Sequence, residues 1–344
     1  MDHIQGIRPD TVSAWFTANV PEVALPLSFE LIAGGHSNLT FKVTGVNGRP
    51  YVLRRPPLYQ VLATAHDMGR EHKIIAALAD TDVPVPATFG LCEDEAVNER
   101  PFYVMDFVDG RVVRSGKEAS RLPLEVRHAA SRSIADTMAR IHAVDVDQVG
   151  LGDLGRKEDY IARQLRRWLR QFEESKTKDR PLIQEIHDHL VTRIPPQGDA
   201  GIVHGDYRLD NCIVNDDGQV LAVLDWELCT LGDRNADVAQ LLVYWAEPED
   251  ADFALDDPPT AMPGFAGRAE LQELYQEAAG RELDNFEFYL AFAHWKLACI
   301  LEGVYSRYVR GAMGDKAPAR GTESFAARVD ALTKMAAYAT EEVA

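Results

Sequence analysis

The sequence lacks the long apolar run of a membrane protein. It contains no uninterrupted stretch of about 18 apolar residues, the length that a helix needs to cross a bilayer. Its start already carries Asp2, Arg8 and Asp10, which does not match the charged-then-apolar start of a signal peptide. We therefore expect a cytoplasmic protein without a membrane partner.

Cysteine is scarce and scattered. The four cysteines lie far apart and form no C-x-x-C pair. A zinc site or a disulfide framework would need a closely spaced pattern. The sequence therefore predicts ordinary buried thiols at Cys92, Cys212, Cys229 and Cys299.

Basic residues are also in deficit. Lysine and arginine number 36 against 54 aspartates and glutamates, for a formal net charge of −18. This charge argues against binding to nucleic acid or to an anionic membrane surface. A cationic substrate is compatible with it, but net charge reports mainly on solubility, and solubility is the favoured explanation.

Apolar residues, in contrast, are plentiful. A chain of 344 residues with 46% hydrophobic content can bury a large core as one bilobal unit or as two close domains. Nothing in the pattern distinguishes a monomer from a homodimer.

The first hundred residues have the pattern of strands around one helix. Alternating apolar positions and an Asn-Gly turn predict a three-stranded meander, followed by a helix and two further strands. The predicted strands span residues 28–33, 39–43, 51–55, 88–91 and 102–107, and the predicted helix spans 68–79.

Beyond Gly110 the spacing of apolar residues becomes helical, with one β-rich interruption at 201–225. The sequence thus predicts an α+β protein with a β-rich N-terminal lobe at 1–108 and a mostly helical lobe at 109–344. The predicted helices span residues 130–142, 160–174, 182–193, 238–245, 270–279, 285–308 and 324–339.

The β-rich interruption carries the candidate chemistry. Asp206 and Asn211 lie five positions apart, and Asp225 follows 14 positions after Asn211. Phosphoryl transfer needs a carboxylate at the attacking hydroxyl, oxygen ligands for magnesium and cations that spread the developing charge. An Asx-rich turn network would explain an isolated pair, but the whole pattern favours a kinase-like site.

Each of these residues has a predicted role. Asp206 would orient the substrate hydroxyl and accept its proton, and Arg208 could reach the transferring phosphoryl group. Asn211 and Asp225 would bind Mg²⁺ through side-chain oxygens. We predict a structural role for His204, and a bracing role for Asp237 near the start of the following helix.

An ATP cradle is predicted upstream. Gly35, Ser37 and Asn38 would let a hairpin tip approach the phosphates. Arg54, on the same strand face as Val52, would contact the phosphates and pair with Glu71, although Arg55 competes for this role. The predicted hinge against the adenine is Met105, Asp106, Phe107 and Val108.

Together, three segments carry a family resemblance: HGDYRLDN at 204–211, LDWE containing Asp225, and GDRNAD at 232–237. They resemble the aminoglycoside phosphotransferase-like family of small-molecule kinases, which implies a protein-kinase-like bilobal fold with ATP and Mg²⁺ as cofactors. Four more segments look like the branch that includes the kinase domain attached to certain acyl-CoA dehydrogenases: GGHSN, YVLRRPP, YIARQLRRWLRQF and HWKLACILEGVYSRYVRG. That branch suggests a hydroxyacyl substrate, free or as a CoA thioester.

Two departures from the family pattern bear on the substrate. Arg54 replaces the usual lysine, and Arg208 stands where many antibiotic kinases have histidine. Arginine can still bind phosphate, so the first change tunes nucleotide binding rather than abolishing it. These departures disfavour an antibiotic as the substrate.

The leading hypothesis is therefore an ATP- and Mg²⁺-dependent transferase that phosphorylates a hydroxyl of a small molecule. One alternative is a metal-dependent hydrolase with His204, Asp206 and Asp225 as ligands. Another is a nucleotide-binding but inactive sensor or scaffold. The substrate pocket would draw on aromatic and acidic residues within 226–307, which also have the spacing of core residues.

Overall fold

The computed structural model describes residues 4–33, 38–58, 67–250, 257–311 and 323–343, and the chain divides into two compact units. Unit 1 comprises the residues up to Asp109 together with Leu221–Glu227. Unit 2 comprises Gly110–Val220 and the chain from Leu228 onward. The short segment 221–227, which includes Asp225, therefore belongs to the N-terminal unit.

Unit 1 is built on a five-stranded antiparallel sheet in the order β1-β2-β3-β5-β4. The predicted meander and the two later strands are confirmed, and so is the helix that follows the meander. Its elements are α1 (Pro9–Asn19), β1 (Ser28–Ala33), β2 (Leu39–Thr44), β3 (Pro50–Arg55), α2 (Met68–Leu78), β4 (Thr88–Cys92), α3 (Glu95–Asn98) and β5 (Phe102–Asp106).

The two faces of this sheet differ in character. Phe41, Leu53 and Val104 alternate onto one face and join a buried apolar core with α1. Arg54 lies on the opposite face, where it stands directly across from Tyr103 in the pairing of β3 with β5. The period of two along each strand therefore separates a structural face from a polar one.

Helix α1 is absent from the sequence prediction. Pro9 occupies its first turn, where the missing N–H costs nothing. Its buried residues are Val12 and Phe16, one turn apart. Two buried positions in 11 residues form a weak pattern without the sheet they cover.

Unit 2 is mostly helical, and the predicted β-rich interruption at 201–225 is confirmed. Strands β6 and β9 pair antiparallel. The elements from Gly110 onward are α4 (Gly116–Ala119), α5 (Leu124–Ala143), α6 (Tyr160–Ser175), α7 (Pro181–Val191), β6 (Gly201–Val203), β7 (Cys212–Val214), β8 (Val220–Val223, whose last three residues belong to unit 1), β9 (Thr230–Gly232), α8 (Arg234–Tyr244), α9 (Arg268–Ala279), α10 (Phe286–Val309) and α11 (Glu323–Glu341).

Helix α10 is the centre of unit 2. It packs against α6, α8 and α11, and most of its 24 residues are buried. A helix with apolar residues on nearly every side is stable only inside a core. Helix α5 begins at Leu124, six positions before the predicted start, because its mixed first turns give no clear apolar stripe.

Two expectations from composition can be compared with the structure. All four cysteines are buried and free, as predicted. Among the described residues, no helix combines the length and the apolar character that a membrane span requires.

Glu302 on α10 is a buried charge with a full set of partners. Its carboxylate accepts hydrogen bonds from the backbone N of Thr177 at 2.6 Å, from the Thr177 hydroxyl at 2.7 Å and from Nε of Arg180 at 3.2 Å. Arg180 is itself nearly buried. The carboxylate therefore ties the chain after α6 to the central helix.

We expect Glu302→Ala to lower the free energy of unfolding by about 3–5 kcal/mol, because it leaves the Arg180 charge and the Thr177 donors without this acceptor. Urea denaturation followed by circular dichroism measures this loss. Glu282→Ala, at an exposed position before the same helix, is the control and should change stability by less than about 0.5 kcal/mol. Equal stability of the two variants would contradict the assignment.

Candidate active site

The predicted catalytic loop leaves β6 and enters a short 3₁₀ turn at Leu209–Asn211. Gly205 has a φ of 83°, a left-handed backbone conformation that glycine adopts without strain. Its position directly before Asp206 lets the chain turn sharply out of the strand. The loop therefore presents Asp206 at the end of a buried strand.

Asp206 and Asn211 are held together within this loop. The amide nitrogen of Asn211 donates to the backbone O of Asp206 at 2.8 Å and to its carboxylate Oδ2 at 2.9 Å. This arrangement uses the donor end of the Asn211 amide and leaves its oxygen as the end suited to a cation. Both side chains are partly exposed.

Arg208 lies between two carboxylates. Its Nε is 3.5 Å from Oδ1 of Asp206 and 3.1 Å from Oδ1 of Asp210. Its guanidinium also covers the ring of Tyr244, with 5.1 Å between Cζ and the ring centroid. Burial raises the pKa of Tyr244, and the negative charge of Asp206 raises it further. Tyr244 therefore stays protonated beside the predicted base.

Asp237 holds the loop through hydrogen bonds to its backbone. Its Oδ2 accepts from the backbone N of His204 at 2.7 Å, and its Oδ1 accepts from the backbone N of Gly205 at 2.9 Å. Nε2 of His142 lies 3.4 Å from Oδ2. Burial alone would raise the pKa of Asp237, but these donors and the nearby histidines lower it overall. The predicted bracing role of Asp237 is confirmed.

His204 itself is fully buried, and its Nδ1 accepts a hydrogen bond from the backbone N of Asp206 at 3.3 Å. The ring thus supports the loop from the inside, which agrees with the predicted structural role.

Unit 1 contains a second cluster of charges. Nε of Arg54 donates to Oε2 of Glu71 at 3.1 Å, which confirms the predicted pairing. Nη2 of Arg54 donates to Oδ1 of Asp225 at 2.5 Å. The competing residue, Arg55, instead hydrogen-bonds backbone oxygens of Gly6 and Pro56. The strand alternation therefore selects Arg54 for the polar face.

Arg54 is strongly held in its charged form. Burial disfavours the charge, but the carboxylates of Glu71 and Asp225 outweigh it, so the pKa is raised. Asp225 has a φ of 63°, in the left-handed region that few non-glycine residues adopt. Such strain concentrates at functional sites, where surrounding contacts hold it.

The hairpin tip is only partly described. Gly35 and Ser37 lie outside the described residues. Asn38 is buried, and its amide nitrogen donates to Oε2 of Glu227 at 3.4 Å. Asn38 is thereby linked to the segment that contains Asp225.

The predicted hinge ends β5. Met105 shares the polar face of the sheet with Arg54 and stands opposite Val52. The backbone N of Asp106 already donates to the backbone O of Ala87 at 2.8 Å. That donor is therefore engaged within unit 1, and the expected contact with an adenine edge would fall to the groups after it, at Phe107 and Val108.

The predicted magnesium ligands have suitable chemistry. Asn211 keeps its amide oxygen and Asp225 keeps its Oδ2 outside the hydrogen bonds described above. Hard cations such as Mg²⁺ prefer oxygen ligands of this kind and keep several waters. Among the described residues, no group of three or more His, Cys, Asp or Glu side chains converges on a metal position.

Sequence reasoning missed several neighbours of these residues. Tyr103 could have been found, because strand pairing places it opposite Arg54. Glu227 lies two positions after Asp225 and could have been weighed with it. Tyr244 lies within the segment 226–307 in which pocket residues were expected, and Asp210 lies within the HGDYRLDN motif.

Three of the aromatic side chains considered for the pocket belong to the core. Trp226, Trp245 and Trp295 are at most 1% exposed, and each indole donates to a backbone carbonyl. They are therefore structural, as their helical spacing had favoured. Some of the acidic residues considered for the pocket fall within 251–256, which lie outside the described residues.

Most of the chain resembles a known protein family. Residues 28–274 match the model of the phosphotransferase enzyme family, APH. Acyl-CoA dehydrogenase family member 10 of Mus musculus is 36% identical over 285 residues, which cover 80% of this chain and 26% of that protein. The chain spans between 26% and 40% of the length of the first curated relatives it matches.

Solved structures agree with this match. A crystal structure from Ralstonia eutropha JMP134, provisionally assigned as an aminoglycoside phosphotransferase, is 34% identical with a TM-score of 0.83 and covers 98% of this chain and 99% of its own. Spectinomycin phosphotransferase, solved with ADP and spectinomycin, is 15% identical with a TM-score of 0.61 and covers 98% and 100%. The predicted α+β fold and the resemblance drawn from the motifs are both confirmed.

We expect Asp237→Asn to loosen the catalytic loop, because the neutral amide replaces a charged acceptor of two backbone N–H groups. Only one oxygen of the amide can still accept, so the expected loss is about 1.5–3 kcal/mol, the value of one hydrogen bond to a charged group. Native-state hydrogen exchange should accelerate at the amides of His204 and Gly205 more than elsewhere in unit 2. Asp284→Asn, at an exposed position, is the control. Unchanged exchange at both amides would refute the bracing role.

Proposed function

The chain belongs to the phosphotransferase enzyme family, and from this membership we propose that it transfers the γ-phosphoryl group of ATP to a hydroxyl group of a small molecule. The observation that carries the proposal is the pairing of Asp206 with Asn211. One side chain offers a carboxylate to the attacking hydroxyl, and the other offers an oxygen to a cation. The hydrolase alternative does not fit this family.

The acceptor side of the reaction is assigned to the catalytic loop. Asp206 would orient the acceptor hydroxyl and take its proton as the oxygen attacks phosphorus. Arg208 lies beside the carboxylate of Asp206. It would partly release this carboxylate and spread the charge of the transferring phosphoryl group. Asp237 would keep the loop in place during the reaction.

The nucleotide side is assigned to the charged cluster of unit 1. Arg54, fixed by Glu71, would contact the phosphates through the N–H groups that face away from the ion pair. Asn211 and Asp225 would hold Mg²⁺, which supplies charge neutralisation at the β- and γ-phosphates when bound. Asn38, Gly35 and Ser37 would cover the phosphates, and Met105 to Val108 would border the adenine.

For the acceptor we propose a hydroxyacyl compound, as the free acid or as its CoA thioester. The support is the likeness to an acyl-CoA dehydrogenase family member, of which this chain matches only a part. The sequence departures at Arg54 and Arg208 also point away from an aminoglycoside. A fold shared with spectinomycin phosphotransferase does not determine the acceptor.

The test is an ATP turnover assay with Mg²⁺ against hydroxyacyl-CoA compounds, free hydroxy acids and aminoglycosides. Transfer to the first two classes alone would support the proposal. Transfer to aminoglycosides alone would overturn the acceptor assignment. If ATP binds with Mg²⁺ but no acceptor of the panel is phosphorylated, an acceptor outside the panel and an inactive sensor or scaffold remain as alternatives. Without ATP binding the kinase proposal fails.

Two substitutions separate the proposed roles. We expect Asp206→Ala to lower kcat by about 100- to 10,000-fold, because proton transfer and orientation of the hydroxyl are lost. ATP affinity should be retained, because Asn211 keeps its hydrogen bond to the backbone O of residue 206. Asp225→Ala should abolish the Mg²⁺ dependence of nucleotide binding as well. Isothermal titration with ATP, with and without Mg²⁺, distinguishes the two.

Asp217→Ala is the matched control for both variants, because Asp217 is an exposed aspartate at the turn after β7. It should behave as the unmodified protein does. Equal loss of nucleotide binding in Asp206→Ala and Asp225→Ala would contradict the division of roles.

A further inference from the structure

Lys296, on the central helix α10, is a buried cation for which the described residues provide no ion pair. Lys296 is only 7% exposed. Within the described parts of the chain, its side chain makes neither a hydrogen bond nor an ion pair. The pKa of Lys296 is lowered, chiefly by burial. The charges of Asp237 and Asp206 oppose this effect, and the charge of Arg167 adds to it. An ammonium group in such a place is costly unless a partner arrives.

Gln240, on α8, shows the same deficiency. It is 2% exposed, and both its amide nitrogen and its amide oxygen lack a hydrogen-bond partner in the described structure. Buried amides are nearly always satisfied in native proteins. Lys296 and Gln240 thus both lack a protein partner in the described structure, and a bound polar group would supply one.

Both residues lie on helices that pack against each other, and α8 also packs against β6, from which the proposed catalytic loop leaves. Gln240 follows Asp237 by three positions and precedes Tyr244 by four, so the three residues share one face of α8. Asp237 holds the loop and Tyr244 is beside Asp206, which places Gln240 between these two contacts.

The packing of α10 on α8 brings Lys296 to the same face. The hydroxyl of Tyr289 donates to Oδ2 of Asp233 at 2.7 Å, at the start of α8. Lys296 follows Tyr289 by seven residues, which is two helical turns along the same side of α10. The electrostatic influence of Asp206 and Asp237 on Lys296 agrees with this placement.

We propose that Lys296 and Gln240 form a subsite that binds the acyl oxygen of the phosphoryl acceptor, next to the hydroxyl that Asp206 activates. This inference rests on the proposed function and names the group that selects the substrate. The ammonium and the amide N–H would both donate to a carboxylate or thioester oxygen. A polycationic aminoglycoside would instead bring like charge against Lys296.

The experiment compares acceptors that differ in the oxidation state and charge of the acyl group. The panel contains hydroxycarboxylates with the hydroxyl on the second, third or fourth carbon, their CoA thioesters, and the diols in which the acyl group is reduced. The variants are Lys296→Met and Gln240→Leu. Lys334→Met, at an exposed position of α11, is the control.

We expect each variant to raise KM for the acyl acceptors by about 10- to 100-fold, the effect of losing one hydrogen bond to a charged group. KM for ATP and kcat/KM for the diols should not change. Lys296→Met should also leave the thermal unfolding temperature undiminished, because it removes a buried charge. Larger effects on the free acids than on the thioesters would identify a carboxylate as the ligand, and the reverse would identify a thioester carbonyl.

Unchanged KM for acyl acceptors in both variants would overturn the subsite and leave the proposed function intact. Parallel losses on acyl acceptors and diols would also overturn it, because they indicate a general structural role. If the unmodified protein phosphorylates only aminoglycosides, the subsite is wrong. Absence of transfer to every acceptor would count against the proposed function itself.

Discussion

The buried carboxylate of Asp237 is the contact on which the catalytic loop depends. It accepts hydrogen bonds from two consecutive backbone N–H groups, those of His204 and Gly205, which follow β6 and have no partner in a sheet. Its place in the first turn of α8 also lets the helix dipole stabilise the negative charge. The position of Asp206 therefore follows from the start of one helix.

The same helix start connects the loop to the core of unit 2. Asp233 accepts from the backbone N of Asn235 as the helix cap and from the hydroxyl of Tyr289 on α10. The cap thus joins the central helix to the element that carries Asp237. The geometry of the proposed catalytic loop and the packing of the core both depend on these polar contacts. A substitution that disturbs one therefore also disturbs the other.

Two buried cations of the chain differ in a way that matters for function. Arg54 lies between the carboxylates of Glu71 and Asp225, so its charge is balanced before any ligand binds. Lys296 has no such balance among the described residues. Arg54 is held by its two carboxylates, whereas Lys296 would gain most from an oxygen that a bound molecule supplies.

The sequence by itself determined the elements whose signals are local. Strand alternation placed Arg54 on the polar face, because side chains of a strand alternate with a period of two. The spacing of Asp206, Asn211 and Asp225 marked the loop, because one short segment carries them. The sequence did not predict α1, because the two buried residues of this helix form a recognisable pattern only together with the sheet that they cover. Only the tertiary structure decided that α8 and α10, which carry Gln240 and Lys296, pack against each other, because packing between helices distant in the chain leaves no periodic trace in the sequence.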